Sequence, residues 1–236
     1  MDPIGAAIFN RFFNNDREVI QVDSNYTEDE EIDPSWFFRN YQEMPVLERL
    51  ALDLCRGRVL DAGAGAGCHA LALQDKHFDV VALDHSAAAC EVMKARGVLN
   101  VLHSDLYGLT AGSYDTILLL MNGAGIAGTL NGLDRLLNHL KSLLAPGGQI
   151  LLDSSDISYL FEEEDGSVWM DLASDNYYGE MEYTVRYREL VSTFPWLFVG
   201  FEILSLAAEK AGMTIECMGE GSENDFLARL TLPLNQ

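Results

Sequence analysis

The sequence predicts an α/β fold: a doubly wound, seven-stranded, mostly parallel sheet that closes with a C-terminal antiparallel hairpin. Three observations carry this. From residue 58 onward, short apolar runs alternate with helical segments. The runs are apolar on both faces, as strands covered by helices on either side must be. The first run also passes directly into a turn with glycine at alternate positions, and a helical segment follows at once.

The elements follow in order. Residues 2–15 place Ile4, Ala7, Ile8, Phe12 and Phe13 at the spacing of a short amphipathic helix. Residues 18–23 read as extended, and a polar, acidic stretch leads through Asp33-Pro34 to an aromatic cluster, Trp36-Phe37-Phe38-Arg39-Asn40-Tyr41. Residues 46–55 are again helical. Strands are expected at Arg58 to Ala62, Phe78 to Leu83, Leu99 to His103, Tyr114 to Met121 and Gln149 to Asp153, with helices over 67–76, 86–96 and 129–144 between them. The last helix carries Leu130, Leu133, Leu136, Leu137, Leu140, Leu143 and Leu144 and is expected to stop at Pro146-Gly147-Gly148.

Residues 156–200 break this rhythm. They hold an acidic run (Glu162-Glu163-Glu164-Asp165), a Tyr177-Tyr178 pair and a polar/apolar alternation from Met181 to Tyr187. This reads as an insertion with one or two antiparallel strands over the site. A helix over 201–211 ends at Gly212, and strands Thr214 to Met218 and Asp225 to Leu232 form the hairpin across Gly219-Glu220-Gly221. The expected organisation is an N-terminal helical lid or extension, 1–50, on a main domain, 51–236, with the insertion at about 156–200.

Composition narrows the function. The 236 residues carry 37 acidic and 15 basic side chains, a net charge of −22. A field of that sign repels phosphate backbones and anionic membrane surfaces, so neither nucleic acid nor a membrane is expected as partner. Cys55, Cys68, Cys90 and Cys217 stand far apart without a C-x-x-C pair, which gives no disulfide framework or zinc site and fits a reducing compartment. The N-terminus lacks the basic and apolar regions of a signal peptide. The longest apolar run, from Ile117 to Met121, gives way to Asn122 and glycines, so it reads as a buried strand entering a loop. The expectation is a cytoplasmic protein.

The turn Val59-Leu60-Asp61-Ala62-Gly63-Ala64-Gly65-Ala66-Gly67 carries the chemistry. Glycine lets backbone pass close to a ligand, and the following helix presents unpaired N–H groups. A dinucleotide fingerprint requires glycine where Cys68 stands. The spacing here is G-x-G-x-G, with Asp61 two positions before the first glycine. A carboxylate there is ill placed beside a pyrophosphate and well placed beside an ammonium group. Asp61, Asp84 and Asp105 each fall at or just beyond the carboxyl end of an expected strand, where open α/β sheets bind ligands.

These features resemble the class I S-adenosylmethionine-dependent methyltransferases, Rossmann-like enzymes whose first motif is two hydrophobic residues, an acid and G-x-G-x-G. The likeness covers residues 58–155 and the final hairpin. It implies that Gly63, Ala64, Gly65 and Gly67 line the methionine part of S-adenosylmethionine with Asp61 nearby. Asp84, followed by His85, would bind the ribose hydroxyls, and Asp105 with Leu106 the adenine. Arg39 and Tyr41 are candidates for the lid, with Arg39 suited to the cofactor carboxylate; an aromatic helix packed on the sheet edge explains the same residues.

Methyl transfer needs alignment and exclusion of water more than a covalent catalyst, so no catalytic residue is assigned. Asn122 stands where some family members carry Asn-Pro-Pro-aromatic; that motif is absent here, and Asn122 fits either the cofactor site or a loop cap. Asp153 and Asp156 flank the fifth strand's end and fit a site facing the acceptor or a helix cap. Tyr177, Tyr178, Tyr183 and Trp196 fit a substrate wall or ordinary packing. His69, His85 and His103 lack metal-ligand spacing and read as packed or surface imidazoles. The expected activity is methylation of a small-molecule acceptor; a non-catalytic cofactor-binding protein and an NAD-dependent enzyme are the alternatives.

Overall fold

The computed structural model describes residues 2–27, 30–161 and 177–233; the acidic run from Glu162 to Asp165 lies outside them. Helix α1 (Pro3–Asn14) begins at an Asp2 cap. Strands β1 (Ile20–Asp23) and β2 (Glu30–Ile32) follow, then two 3₁₀ turns, Pro34–Phe38 and Tyr41–Glu43, and α2 (Val46–Leu54). The alternating region is β3 (Arg58–Ala62), α3 (Cys68–Asp75), β4 (Asp79–Asp84), α4 (Ala87–Arg96), β5 (Val101–His103), β6 (Tyr114–Leu119), α5 (Leu130–Leu143) and β7 (Leu144–Ser155). Beyond it come β8 (Glu180–Tyr187), β9 (Leu190–Leu197), α6 (Phe201–Lys210), β10 (Thr214–Glu220) and β11 (Asp225–Thr231).

The main sheet has seven strands in the order β10-β11-β7-β6-β3-β4-β5. Strands β7, β6, β3, β4 and β5 run parallel, and β11 pairs antiparallel with both β7 and β10. This is the predicted doubly wound sheet with its hairpin. Both faces are buried. Leu60, Ile117, Leu119 and Ile150 pack toward α5 and α6, while Val59, Leu118, Leu151 and Leu227 pack toward α2 and α3. Neighbours such as Leu118 and Leu119 point to opposite faces, which explains why these strands are apolar throughout.

Most element ends fall within two residues of the sequence reading, and the largest difference lies between α5 and β7. Helix α5 ends at Leu143, and β7 starts at Leu144 rather than Gln149. Pro146-Gly147-Gly148 therefore lies inside the strand assignment, where pairing with β6 slips between Tyr114 and Thr116. Glycines in a strand commonly mark such an irregularity.

A second, antiparallel sheet, β2-β1-β8-β9, joins the N-terminal segment to the insertion, with Gln21 opposite Arg186 and Val22 opposite Val185. The sequence reading saw no strand link between them. A lone hairpin is marginal in water; pairing buries Ile20, Val22, Val185 and Tyr187 against Ala6 and Ala7 of α1. Helix α1 lies across α4 so closely that a Cβ at Gly5 would overlap the Ser86 hydroxyl. That hydroxyl donates to the Asp2 carboxylate at 2.7 Å, fixing the start of the chain beside the end of β4.

Candidate functional site

The glycine turn between β3 and α3 uses the conformational freedom of its glycines. Gly63, Gly65 and Gly67 all have positive φ, at +80°, +55° and +81°. A side chain tolerates that region poorly, whereas glycine enters it freely. Gly63 and Ala64 donate to the Leu83 carbonyl at 2.9 and 3.0 Å, tying the turn to the end of β4. A Cβ at Gly63 would meet only Ile126, at 3.8 Å, and one at Gly65 only Phe37 and Ile8, at 3.7 and 4.0 Å. Gly67 differs. Its Cβ would lie 2.8 Å from Val98 and 3.0 Å from Met93, so this glycine lets α3 pack against the end of α4.

Asp84 ends β4 and is buried. Its Oδ2 accepts the Gly65 N–H and its Oδ1 the Ser86 N–H, both at 2.8 Å. Burial raises its pKa, and these two N–H donors oppose the rise. Each oxygen keeps room for a further donor. His85 beside it is exposed, with Nδ1 3.6 Å from Asp84 Oδ1. Past β5, Asp105 is exposed and accepts the Tyr107 N–H at 2.7 Å, capping a short 3₁₀ turn in which Leu106 is buried.

Beneath the turn runs a chain of four buried ionisable groups that sequence reading did not assemble. Arg39 Nη2 donates to both Glu48 carboxylate oxygens, at 2.9 and 3.1 Å. Glu48 Oε2 lies 2.7 Å from His69 Nε2, and His69 Nδ1 lies 4.0 Å from Asp61 Oδ1. All four residues are 6% exposed or less. Burial pushes the Glu48 carboxyl upward, but His69 and Arg39 outweigh it and hold it below its ordinary value. Burial opposes the imidazolium of His69, yet Cys68, Glu48 and Asp61 raise its pKa well above the usual range. Burial also raises the Asp61 pKa, against the pull of His69. Among the described residues, two buried side-chain polar atoms have no hydrogen-bond partner: Arg39 Nη1 and Asp61 Oδ2, at opposite ends of this chain. Such atoms cost roughly 1–3 kcal/mol or more each when left bare.

Arg39 is set by its own neighbourhood. Its Nε donates to the Trp36 carbonyl at 2.8 Å and its guanidinium lies 3.7 Å from the Trp36 ring centroid. Nη2 is also 3.7 Å from Met121 Sδ, in the loop after β6. There Met121 and Asn122 both have positive φ, +66° and +56°, a strained pairing for residues with side chains. Asp153 near the end of β7 holds that shape: its two oxygens accept the Met121 and Gly123 N–H groups at 3.0 and 2.8 Å. Burial nonetheless pushes the Asp153 carboxyl up to about 6. Asn122 accepts from Ser154 Oγ at 3.1 Å and donates to the Leu197 carbonyl at 3.2 Å, bridging both sheets.

The structure therefore places Asp61, Gly63, Ala64, Gly65 and Asp84 around one turn. Arg39 reaches Asp61 through Glu48 and His69. Asp105 and Leu106 lie beyond β5 on the same edge of the sheet, and Asn122 sits in the loop two strands over from β4. Tyr41 is not brought to the turn. Its hydroxyl donates to Asp53 at 2.8 Å, and Lys76 lies 4.2 Å from its ring, at the far end of α3. The reason is local: an Asn40–Glu43 capping box starts a new turn at Tyr41 and swings the ring outward. His69, read as an ordinary imidazole, belongs to the buried chain.

The aromatic candidates divide. Trp196 of β9 lies against Gly125, where a Cβ would overlap the indole, so it docks the small sheet on the 123–127 turn. Tyr183 packs between Phe194 and Phe198, at centroid distances of 6.4 and 6.1 Å. Tyr177 and Tyr178 contact each other at 4.3 Å, and Tyr178 donates to Asp156 at 2.8 Å. Among the described residues, no group of three or more His, Cys, Asp or Glu is arranged to hold a metal ion, and no helix is long and apolar enough to cross a membrane.

Sheet order, reversed strand and glycine turn define a doubly wound α/β domain whose glycine turn lies on the carboxyl edge of the sheet, the edge at which such sheets bind ligands. The profile of a family described as "Methyltransferase domain" matches residues 36–217. A crystal structure of an S-adenosylmethionine-dependent methyltransferase from Bacteroides fragilis, in complex with S-adenosyl-L-homocysteine, is 42% identical with a TM-score of 0.92. The match covers 99% of this chain and 95% of that one. The chain belongs to the S-adenosylmethionine-dependent methyltransferases: it is an enzyme, and S-adenosylmethionine is its cofactor. A methyltransferase of Clostridium acetobutylicum (14% identity, TM-score 0.56, covering 96% and 97%) shares the fold. So does the sugar N-methyltransferase KedS8 of Streptoalloteichus (17%, 0.52, 86% and 94%). A search of curated protein sequences gives no match.

Proposed function

We propose that the turn after β3, with Asp84, Asp61 and Arg39, holds S-adenosylmethionine and that the enzyme methylates a small-molecule acceptor. One observation carries the reading. A bare cationic atom, Arg39 Nη1, and a bare anionic one, Asp61 Oδ2, end one buried chain of side chains. The methionine arm of the cofactor ends in a carboxylate and an ammonium, the complement of that pair. The open Cα faces of Gly63 and Gly65 admit the arm, while the crowded Gly67 serves packing. Asp84, aimed by two N–H donors, supports binding of the ribose hydroxyls. Asp105 and Leu106 border the adenine end. His85 flanks it at the surface, and Asn122 fixes the loop facing the methionine end. Tyr41 takes no part.

When bound, the cofactor supplies a methyl group on a sulfonium. The chain's own contribution is to bind, orient and dry the site: Ile8, Phe37 and Ile126 close over the glycines. Helix α1 and the β2-β1-β8-β9 sheet act together as the cover. A net charge of −22 supports a small acceptor over nucleic acid, and the separated cysteines support a cytoplasmic location. Calorimetry with S-adenosyl-L-homocysteine tests the site. Asp84→Ala is expected to weaken binding at least tenfold; parental affinity in that variant sinks the assignment.

A further inference from the structure

The four-member chain does more than bury charge. We propose that Glu48 and His69 are positioning residues that hold Arg39 and Asp61 as the two poles of one clamp for a zwitterionic aminocarboxylate. The inference rests on the reading above that this site takes the methionine arm of the cofactor.

The order of the groups carries it. Cation, anion, imidazole and anion follow one another at 2.9, 2.7 and 4.0 Å. The inner members face each other and their neighbours, since both Glu48 oxygens accept from Arg39, His69 Nε2 is engaged by Glu48 and His69 Nδ1 faces Asp61 at 4.0 Å. The bare atoms belong only to the outer members. With His69 protonated the charges alternate and cancel, so a zwitterion adds none. The chain also draws on four separate segments: Arg39 lies just past a 3₁₀ turn, Glu48 in α2, Asp61 in β3 and His69 in the first turn of α3. Neither Arg39 nor Asp61 contacts the other, so their spacing depends on the two residues between them. Removing the Glu48 charge would leave Arg39 facing an imidazolium with no anion between them.

Around His69 the titratable groups are Cys68 on its own helix, Glu48 from α2, Asp61 from β3 and Asp153 from β7, with Arg39 beyond Glu48. The carboxylates favour the imidazolium, so the clamp is lost as pH rises rather than as it falls.

The test compares two probes by calorimetry: S-adenosyl-L-homocysteine, and 5′-methylthioadenosine, which keeps the nucleoside and sulfur but lacks the aminocarboxylate. Glu48→Gln and His69→Gln are each expected to weaken the first at least tenfold and the second less than twofold. Parental affinity for the first probe should fall as pH is raised while the second stays level. Equal losses for both probes, or none for either, overturn the inference. Arg39→Lys separates the layers: if it lowers the preference for the longer probe while Glu48→Gln and His69→Gln do not, the clamp fails and the cofactor reading stands. If Arg39→Lys leaves the preference unchanged, that reading fails. Should Glu48→Gln not fold, His69→Gln and the parental pH profile decide.

Discussion

Gly63 and Gly67 share a motif and a positive φ, yet Gly63 is exposed and Gly67 buried, and the structure gives them separable jobs. Placing alanine at Gly63 forces an L-residue to φ +80° but meets no atom closer than 3.8 Å. The cost is the left-handed penalty alone, about 1–2 kcal/mol. Alanine at Gly67 carries the same penalty at φ +81° and adds a Cβ 2.8 Å from Val98 and 3.0 Å from Met93. Overpacking of that kind costs a further ~1–3 kcal/mol. For a domain of this size each kcal/mol lowers Tm by roughly 2–4 °C, so Gly67→Ala should melt about 2–12 °C below Gly63→Ala. Affinity for S-adenosyl-L-homocysteine should rank the other way. Gly63→Ala puts a methyl group on the open face of the turn and should bind at least tenfold more weakly, about 1.4 kcal/mol. Gly67→Ala should lose less. Thermal melts without ligand and calorimetry on the folded variants measure both axes. If the two variants melt together, or Gly63→Ala binds like the parent, the division of labour is wrong.

Two further outcomes follow. Asp153 titrates at about 6 in the folded protein against an ordinary 3.8, so between those values the folded state holds the extra proton and stability falls as pH rises. Denaturant titrations should show the parent losing roughly 3 kcal/mol relative to Asp153→Asn across that interval, a difference that stays constant above pH 6; a flat difference across the interval refutes it. Gly125→Ala drives a methyl group into the Trp196 indole. It should destabilise by ~1–3 kcal/mol and raise the protease sensitivity of β8 and β9, and unchanged melting would show that the small sheet docks elsewhere.

Much of the main sheet is legible in the chain because a strand buried on both faces must be apolar throughout, as Ile117, Leu118 and Leu119 are. The turn is legible because alternate glycines after an apolar run have few other uses, and Asp84 because it closes such a run. Arg39 is legible only as a candidate. Its pairing depends on how a 3₁₀ turn lays it across α2, and no local pattern encodes that. Glu48 left a trace: three and four residues before the buried Ala51 and Leu52, it sits on the apolar stripe of its helix, where a carboxylate needs a partner. His69, in the first turn after the glycines, gave no such sign. Tyr41 misled because its neighbours in sequence are not its neighbours in space. The β1–β8 pairing is opaque for a different reason, since short strands far apart in sequence carry little information about register.

That pairing has a consequence for how the molecule is made. Asp23 bonds Arg186, a residue 163 positions further along. At translation rates of ~5–20 residues per second, the first strand waits roughly 8–33 s for its partner to be synthesised. Strand β1, synthesised well before β8, is thus among the last elements to settle. Until β8 arrives, the apolar side chains of β1 lack the strand that covers them, so a nascent chain stalled short of it would be a natural substrate for chaperones.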